Sequence, residues 1–278
     1  MSANHAIKLA VLIASIGIAI SSAEQLVLLE DFGQGKIFTP ILQTDSRLHR
    51  FKLGISTLKW FASIRFLATV VILRLTFAIL ILPIVLVSSG HSLVFFLWMI
   101  VGTSVYVDWR RRIGGDGGEQ MCMLVILAAA VDFTIAPPWS SGRTAAIFIA
   151  AQSCLAYLSA GVAKAVSKVW RSGNALVRIL DTNTYGSAQF VRHLRMRPNL
   201  SRALNWCVIG AEISFPLVIF LPTNACIGVL TVGLIFHLVT AYVMGLNNFV
   251  WAFAATYPCI YWVAAEVIPR HELIKFHS

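Results

Sequence analysis

The chain has 278 residues, of which 58% are hydrophobic and only 12% are charged. Soluble domains carry about a quarter charged residues, so this composition excludes a soluble globular protein and indicates a chain that lies in lipid. The net charge of +10 does not indicate a nucleic-acid partner. Most of its Lys and Arg residues fall in alternate loops between apolar segments, as the positive-inside rule expects of a membrane protein.

Apolar runs of membrane-spanning length recur along the whole chain. A helix crosses the hydrocarbon core with about 20 predominantly apolar residues. Such runs are predicted at 7–29, 66–88, 92–108, 119–136, 144–166, 205–222, 224–244 and 248–267. The sequence therefore predicts an all-α integral membrane protein, a single domain over 1–278 built as a bundle of about eight transmembrane helices.

The first apolar run allows two interpretations. Lys8, the apolar residues 9–20 and the small residues Ser21 and Ala23 match a cleavable signal peptide. The apolar stretch continues through residues 26–29, which favours a helix that is kept. We expect the first helix to be retained.

The basic residues predict the orientation of the bundle. They lie in the loops before the second, fourth and sixth runs: Lys36, Arg47, Arg50, Lys52, Lys59 and Arg65; Arg110, Arg111 and Arg112; and Lys168, Arg171, Arg178, Arg192, Arg195, Arg197 and Arg202. The loops on the opposite side contain only Arg143. The positive-inside rule assigns the three basic loops to the cytoplasm and, with eight spans, both termini to the outside.

The third basic loop, residues 166–203, is long for a tight bundle. Its apolar residues alternate with cations, which is typical of helices that lie in the membrane interface and turn their charges toward anionic lipid. A disordered basic loop is the alternative. We favour interfacial helices, with membrane lipid as their partner.

Ionisable residues inside spans are the candidates for chemistry, because each costs about 2.5–3.5 kcal/mol on insertion scales. Counting residues at about 1.5 Å each places Arg74, Glu212 and His237 at one depth, about 10–12 Å below the basic face. Lys164 and Glu119 are predicted to lie slightly closer to the basic face than these three residues. Asp132 falls toward the other face and is predicted to stand apart.

Two interpretations of these groups remain open. An Arg74–Glu212 ion pair, with His237 hydrogen-bonded to one partner, would only hold helices together. A polar pocket would instead use His237 or Lys164 as a proton-transfer group. Tyr157, Trp170, Asn247 and Trp251 lie near the same face, either as an aromatic belt or as the lining of a pocket for a planar, lipid-soluble ligand such as a quinone.

The five cysteines predict neither a metal site nor a disulfide framework. All fall inside apolar segments, and no two are spaced as C-x-x-C. Buried cysteine behaves as a small hydrophobe, so we expect packing residues and no metal.

The segment YLSAGVAK at 157–164, followed by WRSGNAL at 170–176, resembles the Y-x-x-AG-x-x-K…W-x-x-G-x-A pattern of the HTTM (horizontally transferred transmembrane) family. This family is related to the membrane domain of vitamin K-dependent γ-carboxylase. Phe236-His237, the GLNNF turn at 245–249 with Trp251, Glu212 and the acidic Gly-rich segment 114–119 resemble further parts of the family. The resemblance covers about residues 60–265.

The resemblance, together with the shared depth of the ionisable groups, suggests roles for four of the candidate residues. Lys164 would be the base that deprotonates a reduced, vitamin K-like quinone, with His237 and Glu212 tuning it and Arg74 neutralising Glu212. A short bacterial member in the inner (plasma) membrane would modify, mature or export a peptide or protein. The alternative is a non-catalytic membrane subunit or scaffold that binds a partner within the bilayer. A transporter has least support, since no inverted repeat is visible.

Overall fold

The computed structural model describes residues 1–29, 60–87, 90–110, 117–135, 142–182, 186 and 188–267. Within these ranges the chain is helical and has no strand. The first basic loop up to Lys59, Arg111 and Arg112, residues 114–116 of the Gly-rich segment and Tyr185 lie outside the described residues.

Long helices occupy every segment where an apolar run predicts one. They are α1 (Ala3–Val27), α2 (Ile64–Val87), α3 (His91–Arg110), α4 (Gly117–Ile135), α5 (Arg143–Val166), α9 (Pro198–Ser214), α10 (Thr223–Met244) and α11 (Asn247–Trp262). A 3-10 segment, Phe215–Phe220, continues α9, and a π turn, Val263–Val267, continues α11. Three short helices fill the third basic loop: α6 (Lys168–Arg171), α7 (Ala175–Leu180) and α8 (Ala188–Met196).

Seven of the helices in the described ranges are long and apolar enough to cross a membrane: α1 to α5, α9 with its 3-10 segment, and α10. The eighth predicted span is also helical, although α11 itself has only 16 residues before its π turn. This architecture confirms an all-α membrane bundle that passes the bilayer several times.

The first and last long helices form the centre of the bundle. α1 contacts α2, α4, α5 and α11, and α11 contacts α1, α4, α5 and α10. Two glycines allow α11 to approach its neighbours closely, Gly17 on α1 and Gly118 on α4. A Cβ on Gly17 would stand 2.7 Å from the Cβ of Trp251, and one on Gly118 would stand 2.9 Å from the backbone carbon of Asn248. α11 is therefore packed between α1 and α4 near its N-terminal end.

α10 lies at the periphery of the bundle. It packs on α11, on the π turn and on the 3-10 segment after α9. Only Cys226, Leu230 and His237 are buried on it. His237 is thus the one basic side chain that α10 turns toward the interior.

The third basic loop contains helices, as predicted, and the alternative of a disordered loop is wrong for its described residues. On α8, Val191 and Leu194 are buried and pack with residues of α7 and with the end of α10. The cations of this segment are exposed: Lys168, Arg171, Arg178, Arg192, Arg195, Arg197 and Arg202. The segment is therefore amphipathic, with its apolar side on the bundle.

Candidate functional site

The junction of α5 and α9 brings a lysine and a glutamate together. Gly161 permits the contact, since a Cβ there would stand 2.8 Å from the backbone nitrogen of Ile213 and 2.9 Å from the Cβ of Glu212. One turn later, Lys164 Nζ donates to both carboxylate oxygens of Glu212, at 2.8 and 2.6 Å. The two side chains are 22% and 11% exposed, so the pair is mostly shielded but reachable.

A glycine turn fixes the third member of this site. Gly173 has φ 83°, the left-handed region that glycine adopts without strain. Its carbonyl accepts hydrogen bonds from Ser201 Oγ at 2.6 Å and Asn205 Nδ2 at 3.2 Å, which holds the α6–α7 turn on α9. Trp170, just before the turn, lies with its ring centroid 5.3 Å from Lys164 Nζ, within cation–π range. Lys164, Glu212 and Trp170 are called the lysine cluster below.

A second set of polar groups lies further along α5. Tyr157 is seven residues before Lys164, on the same helix face and about 10 Å away along the axis. Its hydroxyl shares hydrogen bonds with His237 Nε2 at 2.7 Å and with the Tyr257 hydroxyl at 3.0 Å. Phe253 stacks on the His237 ring, with centroids 4.4 Å apart and planes at 5°. Tyr157, His237 and Tyr257 form the tyrosine–histidine cluster.

The arginine cluster is separate from both and joins α1, α2 and α4. Arg74 Nη2 lies 3.7 Å from Glu119 Oε1, and Arg74 Nε donates to Ser22 Oγ at 2.8 Å. Ser21 donates to Glu119, as does Gln25 Nε2 at 2.8 Å. A small cavity, with room for about one water molecule, adjoins it. Its other polar lining residues are Ser104, Asp108, Cys122 and Asn248.

The predicted ion pair between Arg74 and Glu212 is wrong. Arg74 pairs with Glu119, and Glu212 pairs with Lys164. The reason is helix adjacency, because α2 packs on α1 and α3 whereas α9 packs on α5. His237 hydrogen-bonds Tyr157 and neither of the two residues that the sequence suggested. The expected single group of charges at one depth is therefore divided among separate clusters.

The remaining candidate residues lie apart from the lysine cluster. Asn247 lies near α1, with its Nδ2 3.5 Å from Glu24 Oε1, and Trp251 packs on Gly17. Neither belongs to the lysine cluster. Asp132 is thirteen residues from Glu119 on α4, about 20 Å along the axis, so it stands apart as predicted.

Sequence reasoning missed several members of these clusters. A signal for Tyr257 exists, since a tyrosine hydroxyl deep in an apolar run needs a hydrogen-bond partner. Ser21, Ser22 and Gln25 also carry a signal, because Gln25 is one turn after two adjacent serines within an apolar helix. Phe253 has none, as a phenylalanine in an apolar segment looks like any packing residue.

The fold and the buried clusters define a multi-pass α-helical membrane protein with ionisable groups inside the bundle. Comparison with family models, with curated proteins and with solved structures finds no match for this chain. The HTTM resemblance therefore rests on the motif residues themselves.

Proposed function

We propose that this chain is an HTTM-like bacterial membrane protein that uses a reduced quinone in modifying or maturing a peptide or protein, with Lys164 as the base. One observation carries the proposal: Lys164 Nζ is held by both oxygens of Glu212 at the α5–α9 junction and is still 22% exposed. A basic group in this position can be reached from outside the bundle.

The pair supplies a way to make a lysine basic inside a membrane. Both charged forms are costly in an apolar surrounding. Transfer of the ammonium proton to the Glu212 carboxylate leaves an uncharged amine and an uncharged acid. The amine can then accept a proton from a bound hydroxyl group, which is general-base catalysis.

The residues around Lys164 suit a planar, lipid-soluble partner. Trp170 offers a ring face beside Lys164 Nζ. A reduced quinone supplies hydroxyl groups, and their deprotonation makes the ring easy to oxidise by molecular oxygen, which we propose as the acceptor of its electrons. The tyrosine–histidine cluster, about 10 Å along α5, offers a second set of hydrogen-bonding groups.

Oxygen uptake by proteoliposomes that contain a reduced naphthoquinone tests the base. We expect the protein to accelerate the uptake and Lys164→Met to reduce that acceleration about 100-fold, the usual scale of a lost general base. Lys168→Met is the matched control, because Lys168 is exposed four residues later and should keep full activity. Full activity of Lys164→Met at equal abundance would contradict the proposal.

A second candidate is a non-catalytic subunit that binds a partner within the bilayer. The exposed apolar face of α10 favours it, because Val232, Ile235 and Val239 are more than half exposed. In this case the Lys164–Glu212 pair would only join α5 to α9. The oxygen-uptake experiment separates the enzyme from the subunit. A non-catalytic subunit would not accelerate oxygen uptake, whether Lys164 is present or replaced by Met.

A further inference from the structure

Arg110, the last residue of α3, is a buried cation with no counter-charge among the described residues. Its side chain is 1% exposed, and within the part of the chain that the structure describes its Nε and Nη1 have no hydrogen-bond partner. A guanidinium remains charged in proteins, and burying an uncompensated charge is strongly unfavourable. The arrangement calls for an anion that the described residues do not supply.

The surroundings of Arg110 place it at headgroup depth. Its side chain lies beside Tyr106, whose hydroxyl donates to the Phe61 carbonyl at 2.5 Å. Tyr106 belongs to an aromatic cluster with ring centroids 4.4–5.8 Å apart, made of Trp60, Phe61, Phe66, Tyr106 and Trp109. Trp60 is 58% and Trp109 48% exposed. Exposed tryptophan at the end of a span is typical of the membrane–water interface.

The backbone carbonyls of α3 do not accept hydrogen bonds from Nε or Nη1 of Arg110, although the carbonyl end of a helix favours a cation. Asp108 is two residues earlier, about 200° around the helix, and lines the cavity of the arginine cluster. Arg110 therefore faces a different side, toward the start of α2.

We propose that Arg110 binds the phosphate group of an anionic phospholipid between the ends of α2 and α3. The planar guanidinium donates two parallel hydrogen bonds to phosphate oxygens. The exposed rings of Trp60, Phe61 and Trp109 belong to the aromatic cluster beside Tyr106 and can contact the first carbons of an acyl chain. A free phosphate ion has no such chain, so these exposed rings favour a lipid as the source.

Thermal unfolding of delipidated protein in detergent tests this site. Phosphatidylglycerol stabilises the native protein by mass action, and we expect its unfolding temperature to rise by at least about 3 °C. Inorganic phosphate at the same concentration should leave the temperature unchanged. Arg110→Met should unfold at a higher temperature than the native protein without lipid, since the uncompensated charge is gone. The same variant should lose the gain from phosphatidylglycerol.

Arg171→Met is the control, because Arg171 is an exposed cation of the third basic loop and its loss should leave the gain in place. Native mass spectrometry should also find one phosphatidylglycerol fewer on Arg110→Met. Should that variant fail to fold, Arg110→Lys keeps the charge without the planar fork and should retain less of the lipid. An undiminished gain in Arg110→Met would overturn the site, and an equal gain from inorganic phosphate would overturn the lipid as its source.

Discussion

Lys164 and Glu212 neutralise each other in a region where neither charge would be stable alone. Removing one partner of a shielded pair leaves the other uncompensated, which costs about 3–5 kcal/mol for full burial. Lys164 is about a fifth exposed, so solvent recovers part of that cost. The pair therefore matters to stability whichever function it serves.

At this scale we predict that Lys164→Met lowers the free energy of unfolding by about 1–3 kcal/mol, because Glu212 loses its counter-charge. Lys164→Met combined with Glu212→Gln should recover at least half of the loss, since no charge then remains without a partner. Unfolding in mixed micelles, followed by tryptophan fluorescence, measures both. Additive losses in the double variant would show that the two residues are energetically independent.

The identity of the ionisable residues could be predicted from the sequence, but their partners could not. Depth along a helix follows from residue counting, and it correctly separates Asp132 from Glu119. It carries no information on direction around the helix or on which helices are neighbours. Arg74 and Glu212 have matching depths, yet their helices turn them toward α4 and α5, respectively.

Among the elements, α5 and α9 depend on one glycine for their contact. A methyl group on Gly161 would meet the backbone of Ile213, which cannot rotate away as a side chain can. The helices would separate, and Lys164 would no longer reach both oxygens of Glu212. The small residue of the A-G-x-x-K motif thus has a packing role that is distinct from any role in chemistry.

We predict that Gly161→Ala destabilises the protein by about 1–3 kcal/mol, the usual cost of overpacking. Gly210→Ala is the matched control, because Gly210 is on α9 and a Cβ there meets nothing within 4 Å. Alanine is the better helix former, so the control should be neutral or slightly more stable. The unfolding temperatures of the two variants in one detergent measure the difference. Equal values would mean that the α5–α9 contact adapts without cost.

Helix positions were predictable because apolar runs of about 20 residues are unambiguous, whereas polar helix ends were not. The apolar run begins at 205, but α9 begins at Pro198, a residue that suits the first turn of a helix. Its first two turns are polar and carry Ser201 and Asn205, which bind the Gly173 carbonyl. A search for apolar residues cannot detect a helical turn that is held by a tertiary hydrogen bond.

For the whole molecule, the distribution of cations predicts that α5 crosses the membrane from Arg143 outside to Lys168 inside. Its 24 residues extend about 36 Å, which is enough for the hydrocarbon core. With the exposed Cys207 replaced by Ala, a membrane-impermeant maleimide should label Arg143→Cys only in right-side-out vesicles. It should label Lys168→Cys only in inside-out vesicles. Labelling of both from one side would exclude this orientation.

The number and class of the helices could be predicted from hydropathy, while their arrangement could not. Some helices that are neighbours in sequence pack together, as α2 and α3 do. Nothing in the sequence indicates that α1 and α11 share an interface. That contact depends on Gly17 facing Trp251, a match of shape between residues more than 200 positions apart.

The central position of α11 has a consequence for biogenesis. A chain inserted during translation releases α11 long after α1 has entered the membrane. Until then the face of α1 around Gly17 has no α11 to cover it. The bundle can close only once α11 has been synthesised, so an insertase or chaperone that shelters the earlier helices would protect this chain during that interval.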